Sequence, residues 1–106
     1  MKIEFLYFEG CPNHALALAL LKKNLAIEEV DQGIEMINVD SVEIAQKTRF
    51  LGSPSIRING KDIETSDVDL SDYGMKCRIY IGGADPTGIP PEDLIIKSIT
   101  EEKGNN

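Results

Sequence analysis

The first fourteen residues constrain the fold of this chain more than any other part of its sequence. Residues 1–8 predict a strand, and within residues 3–8 only Glu4 is polar, as expected for a strand covered on both faces by helices. Glu9-Gly10 predicts a turn. Cys11 then marks the predicted helix start, with Pro12 at the first helical position, where a missing N–H loses no hydrogen bond.

The rest of the sequence continues this alternation of strands and helices. Apolar periodicity, caps and breakers predict a helix over residues 12–31, a strand over 34–39, a helix over 42–50, strands over 55–59 and 77–81, and a final helix opening at Pro91. The order βαβαββα predicts an α/β fold with a four-stranded mixed sheet sandwiched between helices. The first two strand–helix–strand steps are expected to give parallel strands, and the last two strands an antiparallel pair. Asn59-Gly60 predicts a tight turn after the third strand.

Length and charge limit the function classes. The chain has 106 residues, which suits one domain over residues 1–100, with residues 101–106 expected to be a disordered tail. A net charge of −7 argues against nucleic acid and anionic membranes as partners. The N-terminus lacks the pattern of a signal peptide, so we expect a cytoplasmic protein whose cysteines are free thiols rather than a structural disulfide.

Cys11 is the residue with the clearest chemical potential. A thiol at a helix start faces unpaired backbone N–H groups and the positive end of the helix dipole, and both favour the thiolate. The thiolate is the form that attacks disulfides and peroxides and binds soft metals. The alternative is that Cys11 is a small buried hydrophobic residue, a common role for a free cysteine.

Two further residues join Cys11 as candidates for the site. His14 follows one helical turn later on the same face, where it is positioned to hydrogen-bond the thiolate, to accept its proton or to be a second metal ligand. Its alternative role is a solvated first-turn side chain that contacts nothing. Pro54, after Ser53, either crowds the thiol in a cis conformation or begins an edge strand in trans.

The order of elements, with Cys11-Pro12 at the first helix and Ser53-Pro54 before the third strand, resembles the thioredoxin fold over nearly the whole chain. The resemblance implies that Pro54 is cis and lies against the thiol of Cys11. Thioredoxins carry a second cysteine three residues after the first, where this sequence has His14. The usual intramolecular disulfide therefore cannot form within this motif.

Three blocks are similar to a family of small thioredoxin-like proteins and selenoproteins of bacteria and archaea. Some members of that family have selenocysteine at the Cys11 position, and some carry an alkylmercury-lyase label. The blocks are Phe8-Glu9-Gly10-Cys11-Pro12-Asn13-His14, Phe50-Leu51-Gly52-Ser53-Pro54-Ser55-Ile56-Arg57-Ile58-Asn59-Gly60 and Cys77-Arg78-Ile79-Tyr80.

The remaining polar features have structural interpretations. Cys77 begins the predicted fourth strand, and four residue steps along it place this thiol beyond disulfide reach of Cys11, so Cys77 is expected to pack in the core. Arg57 and Arg78 lie on neighbouring predicted strands, where they are positioned to bind an anion but are expected to pair with local carboxylates. The acidic stretch over residues 67–72 lacks the glycine and closing glutamate of a calcium loop and is expected to be solvated.

These observations predict a single-thiol redox protein in which Cys11, His14 and Pro54 form the catalytic site. Its expected partner is a thiol or disulfide, on a protein or a small molecule. Two alternatives stay open: a module that binds or transfers a soft metal such as mercury through Cys11 and His14, and a non-catalytic adaptor. No cofactor or resident metal is expected, because Cys11 and His14 supply two ligands where structural zinc takes four. Whether the thiol turns over as an oxidoreductase or senses also stays open.

Overall fold

The computed structural model describes residues 1–31, 33–64, 78, 80 and 86–104. Within these residues the chain forms an α/β fold with a four-stranded mixed sheet, in the order β2-β1-β3-β4, and three helices. The α/β class and the mixed sheet are therefore confirmed. The elements are β1 (Ile3–Tyr7), α1 (His14–Ile27), β2 (Ile34–Asn38), α2 (Val42–Thr48), β3 (Ser55–Ile58), β4 (Lys61–Asp62) and α3 (Glu92–Gly104).

Helices cover both faces of this sheet, because side chains alternate between the faces along β1. Ile3 and Phe5 point to the face covered by α1 and α3, whereas Leu6 points to the face covered by α2. The larger core comprises Ile3, Phe5, Ala17, Leu21, Leu25, Ile56, Ile58, Ile63, Tyr80, Ile95 and Ile99. The smaller core comprises Leu6, Val39, Ala45 and Phe50.

The direction of β3 differs from the prediction. β1 and β2 are parallel as expected, but β3 runs antiparallel to β1, with Leu6 opposite Ser55. The reason is the length of α2, whose seven residues span only about 10 Å and cannot return the chain along the full length of a strand. The chain therefore enters β3 at the same end of the sheet where β2 stops.

The fourth strand also lies at a different place in the sequence. β4 follows β3 directly, through a two-residue turn in which Asn59 and Gly60 have φ of 55° and 80°. The predicted turn is thus confirmed, and it closes a hairpin that brings Lys61 opposite Ile58. Of the strand predicted over residues 77–81, only Arg78 and Tyr80 are described, and Tyr80 forms an isolated antiparallel bridge with Thr87.

Two helix ends also differ from the sequence prediction. α1 stops at Ile27, because Glu29 turns into the left-handed conformation and the amide of Val30 donates to the carbonyl of Leu25. α3 continues through residues 101–104 instead of ending in the expected tail, because the nearly buried Glu102 accepts hydrogen bonds from Asn59 and Lys61. No helix in the described part of the chain is long and apolar enough to cross a membrane.

The predicted cap of α2 provides a test of local stability. Ser41 Oγ accepts a hydrogen bond of 3.2 Å from the amide of Ile44. We expect Ser41→Ala to lower the free energy of unfolding by about 1 kcal/mol, because this amide loses its partner. Ser98→Ala makes the same chemical change inside α3 and should cost less. Urea denaturation of both variants checks this, and equal losses would contradict the capping role.

Candidate functional site

The turn that carries Cys11 is tighter than the sequence predicted. The amide of Cys11 donates to the carbonyl of Phe8 at 3.1 Å, and the first helical hydrogen bond runs from Ala17 to Asn13. α1 therefore begins at His14 with Asn13 at the capping position, and the prediction that Cys11 precedes the first helical residue is wrong by two residues. The amide of Cys11 itself closes a turn with β1 and is not a free donor at a helix end.

The thiol of Cys11 contacts the segment before β3. Its Sγ donates a hydrogen bond of 3.4 Å to the carbonyl of Ser53, and the Ser53-Pro54 peptide bond is cis, which confirms the predicted conformation. Cys11 is only 2% exposed. The structure thus brings Cys11 and the Pro54 segment together across 42 positions of sequence, in a site closed to solvent.

The backbone on both sides of Pro54 is held by other parts of the chain. Besides Cys11, the carbonyl of Ser53 accepts the amide of Arg78 at 2.9 Å, and the hydroxyl of Ser53 accepts the amide of Phe8 at 3.3 Å. The carbonyl of Pro54 accepts the hydroxyl of Tyr80 at 2.5 Å. These bonds fix the proline segment against Phe8, which follows β1, and against Arg78 and Tyr80.

His14 has a ring partner and is not bonded to the thiol. Its imidazole lies 5.0 Å from the ring of Tyr7, centroid to centroid, at an interplanar angle of 34°. Among the hydrogen bonds of the described residues, none joins His14 to Cys11. The predicted contact between the imidazole of His14 and the thiol of Cys11 is therefore not formed while the thiol is bonded to Ser53.

A buried cation lies beside the proline segment, and the sequence pattern alone does not indicate its extent of burial. Both terminal nitrogens of Arg78 donate to the carboxylate of Asp62, with 2.6 Å from Nη1 to Oδ1. Arg78 also donates to the carbonyl of Glu64 and the hydroxyl of Ser55, and its guanidinium lies 4.4 Å from the ring centroid of Tyr80. The predicted pairing of Arg78 with a local carboxylate is confirmed.

The other predicted arginine behaves differently. Arg57 donates to the carbonyl of Arg49, the residue that ends α2, at 2.7 Å. Arg78 and Tyr80 are two positions apart in a predicted strand, so period-2 alternation was the one sequence signal that they share a face. Cys77 and the acidic stretch over residues 67–72 lie outside the described residues.

Burial and charge shift the ionisation of both members of this cluster. Burial lowers the pKa of Arg78, but the hydrogen bond to Asp62, the carboxylate charges of Asp62 and Glu64, and Tyr80 when it is ionised outweigh it, so the pKa is raised. Burial raises the pKa of Tyr80, the carboxylates of Asp62 and Glu64 raise it further, and Arg78 opposes them. The cluster therefore holds a charged guanidinium against a neutral phenol.

Two glycines allow the close packing around the thiol. Gly52 has φ of +121°, and a Cβ at this position would lie 2.9 Å from the Cβ of Arg78. A Cβ at Gly88 would clash with Nδ2 of Asn13, two residues after Cys11. The segment around Gly88 therefore abuts the turn that carries the thiol.

A metal site among the described residues, or a relative among known proteins, would identify the function. No group of three or more His, Cys, Asp or Glu side chains within the described ranges is arranged to hold a metal ion. Comparisons of the chain with protein-family models, curated proteins and solved structures find no match.

The buried ion pair is open to a direct test. Arg78→Met should lower the free energy of unfolding by about 3–5 kcal/mol, because it leaves the carboxylate of Asp62 nearly buried without its cation. The matched variant Arg57→Met removes a guanidinium bound to one carbonyl and should cost about 1 kcal/mol. Equal losses in denaturant titrations would show that the Asp62 pair adds nothing specific.

The raised pKa of Tyr80 predicts a loss of stability in alkali. The unfolded phenol loses its proton near pH 10, while the folded one retains it, so the folded state binds more protons and stability falls as pH rises above about 10. We expect Tyr80 to contribute roughly 1.4 kcal/mol per pH unit to this fall. Tyr80→Phe should remove that contribution and Tyr7→Phe should keep it, in denaturant titrations at pH 9, 10 and 11. An unchanged slope in Tyr80→Phe would contradict the assignment.

Proposed function

We propose that this chain is a single-thiol redox protein of thioredoxin type, in which Cys11 carries out thiol–disulfide exchange beside Pro54. The observation that carries the proposal is the hydrogen bond between Sγ of Cys11 and the carbonyl immediately before a cis proline. A cysteine after the first strand and a cis proline before the third are the two features through which the sequence resembles that fold. They are far apart in sequence and meet at one point.

The arrangement of the sheet supports the same proposal at a coarser level. A parallel pair of β1 and β2, an antiparallel hairpin of β3 and β4, and helices on both faces are compatible with a thioredoxin-like domain. The cysteine turn and the proline segment lie at the same end of neighbouring strands, because β1 ends where β3 begins. Such an end of a sheet is where chain segments converge to form sites.

The proposed reaction uses the thiol of Cys11, one external disulfide and one external thiol. The thiolate of Cys11 attacks one sulfur of a disulfide, a new S–S bond forms to Cys11, and the other sulfur leaves as a thiolate. A second external thiolate then attacks this mixed disulfide, which restores the thiolate of Cys11 and releases a new disulfide. Electrons pass from the external thiol to the original disulfide, so the protein itself ends unchanged.

The resolving thiol comes from outside the motif in this proposal. His14 occupies the position where a dithiol protein has its second cysteine, so no neighbouring sulfur is present to release the substrate. In the reducing cytoplasm that the sequence predicts, a small thiol or a thiol of another protein fulfils this role. The mixed disulfide should therefore persist when no external thiol is present.

Access to the thiol controls this reaction. Cys11 is buried, and its thiol donates a hydrogen bond to the carbonyl of Ser53. Attack on a disulfide therefore requires the turn around Cys11 to move away from the proline segment. His14 lies in the same segment of chain, and we assign to it the acceptance of the proton once the thiol is released. Its ring position against Tyr7 holds the imidazole next to β1 meanwhile.

Reaction with a chromogenic aromatic disulfide tests the proposal. In folded, reduced protein carrying Cys77→Ser, we expect one equivalent of aromatic thiol to be released and a mixed disulfide on Cys11 to appear by intact mass. A small thiol should then restore the original mass. The matched variant Cys11→Ser, which keeps Cys77, should release at least about tenfold less in the same time. Reaction of Cys11 only after unfolding would instead favour a structural thiol in a non-catalytic adaptor.

His14→Ala tests whether the imidazole accepts the proton of the Cys11 thiol. We expect it to slow the reaction of Cys11 roughly ten- to hundredfold at pH 7, because the thiol loses its proton acceptor. Tyr7→Phe keeps an aromatic ring beside His14 and should leave the rate close to that of the parent protein. An unchanged rate in His14→Ala would show that the imidazole contributes only its ring contact.

A further inference from the structure

Asn13 stands at the capping position of α1 without capping it. Its backbone is helical, with φ of −98° and ψ of −6°, and within the described residues its side chain accepts no hydrogen bond from the first turn. Asparagine is among the best capping residues, and a capping residue normally has an extended backbone. Ser41 has that arrangement at the start of α2, with φ of −151°, ψ of 159° and a hydrogen bond from Ile44. The cap of the longer helix is therefore left unused.

The side-chain amide of Asn13 lies against Gly88 instead. A Cβ at Gly88 would clash with Nδ2 of Asn13 and would lie 3.4 Å from its Cγ. The amide of Asn13 thus occupies the space that a side chain at position 88 would fill. The backbone of Gly88 is outside the left-handed region, so an alanine there adds the clash with Asn13 and no strain of its own.

Gly88 belongs to a set of residues that also holds the proline segment. Its neighbour Thr87 exchanges two backbone hydrogen bonds with Tyr80, of 2.7 and 3.0 Å. The hydroxyl of Tyr80 in turn donates to the proline segment. The cysteine turn is therefore held at two points by connected parts of the domain, at the sulfur of Cys11 by the proline segment and at Asn13 by Gly88.

We propose that Asn13 is a positioning residue that opens and closes the site of Cys11, an inference that rests on the proposed function, in which the thiol must be released to react. In the closed state, the amide of Asn13 packs on Gly88 while the thiol is bonded to Ser53. In the open state, the backbone of Asn13 is extended and its side chain caps α1 by accepting the amide of Leu16, the third helical residue.

A change of backbone at Asn13 moves the thiol because Cys11 precedes it by only two residues. The carbonyl of Asn13 accepts the amide of Ala17 at 3.2 Å and so keeps its place in the helix. Rotation about ψ of Asn13 from −6° to the extended region therefore turns the preceding chain, with Cys11, relative to α1. The hydrogen bond gained at the helix cap offsets the one lost by the thiol. One side chain can thus select between the two states.

Alkylation of the reduced, full chain by iodoacetamide measures access to Cys11, read from the mass of the peptide that contains this residue. Gly88→Ala should raise the rate at least about fivefold, because the added Cβ displaces the amide of Asn13 from its closed position. In an Asn13→Ala background, Gly88→Ala should not raise the rate, since no amide remains to be displaced. Gly33→Ala is the matched control, because its Cβ would meet nothing within 4 Å, and it should leave the rate unchanged.

The helix cap of the open state is tested by Asn13→Ser against Asn13→Ala. Both variants remove the amide from Gly88, but only serine caps a helix, so Asn13→Ser should react about fivefold faster than Asn13→Ala. The rates should stay level from 0 to about 1 M urea, where reaction through global unfolding would rise roughly fivefold or more. Circular dichroism confirms that each variant is folded.

Three results would overturn the role of Asn13: a rate that ignores Gly88→Ala, an equal increase from Gly88→Ala without the amide of Asn13, or equal rates for Asn13→Ser and Asn13→Ala. The proposed function fails separately. Alkylation that follows the expected pattern, with no thiol released from the aromatic disulfide, would support the role of Asn13 and contradict disulfide exchange at Cys11.

Discussion

The ion pair between the guanidinium of Arg78 and the carboxylate of Asp62 is the interaction on which the rest of the site depends. Arg78 is nearly buried, and it forms this ion pair with Asp62 on the short strand β4. Because an unpaired buried charge is very costly, this pair fixes where residue 78 lies relative to the β3–β4 hairpin. The amide of Arg78 is thereby placed on the carbonyl of Ser53, which is also the acceptor for the thiol of Cys11.

The same arrangement explains why the thiol is ordered and closed at once. Ser53 and Pro54 accept hydrogen bonds from Phe8, from Arg78 and from Tyr80, so the segment that Cys11 contacts is held at several points. The turn that carries Cys11 is held by fewer such bonds, since its amide bonds only to Phe8. Movement of the cysteine turn therefore breaks fewer hydrogen bonds than movement of the proline segment.

The predictable parts of this fold are those set by local chemistry. Ser41 caps α2, and the Asn59-Gly60 turn reverses the chain, as their residue types indicate. The less predictable parts depend on contacts between residues far apart in sequence, or on elements too short to show a pattern. β4 has two residues, too short for any alternation to be visible, and the direction of β3 depends on the length of α2 compared with a strand. The contacts of Arg78 reach residues 14 to 25 positions away.

The candidate site divides in the same way. Cys11 and Pro54 could be selected because a cysteine turn after a strand and a proline before one are sequence patterns. That they touch follows from the sheet register, which pairs Leu6 with Ser55. The ring contact of His14 with Tyr7 could not be predicted from the sequence. The spacing along the helix favoured a contact between the imidazole and the thiol, whereas in the structure the imidazole packs against an aromatic ring.

Arg78 also has a consequence for how this chain can vary. Its guanidinium is bonded to Asp62 and to the carbonyl of Glu64, so both ends of the segment over residues 65–77 are tied to the same point of the domain. Both terminal nitrogens of Arg78 are used, since Nη1 donates to Ser55 and Asp62 and Nη2 donates to Asp62 and Glu64. A lysine carries a single nitrogen in place of this planar fork, so the exchange of one basic residue for the other is not conservative at this position.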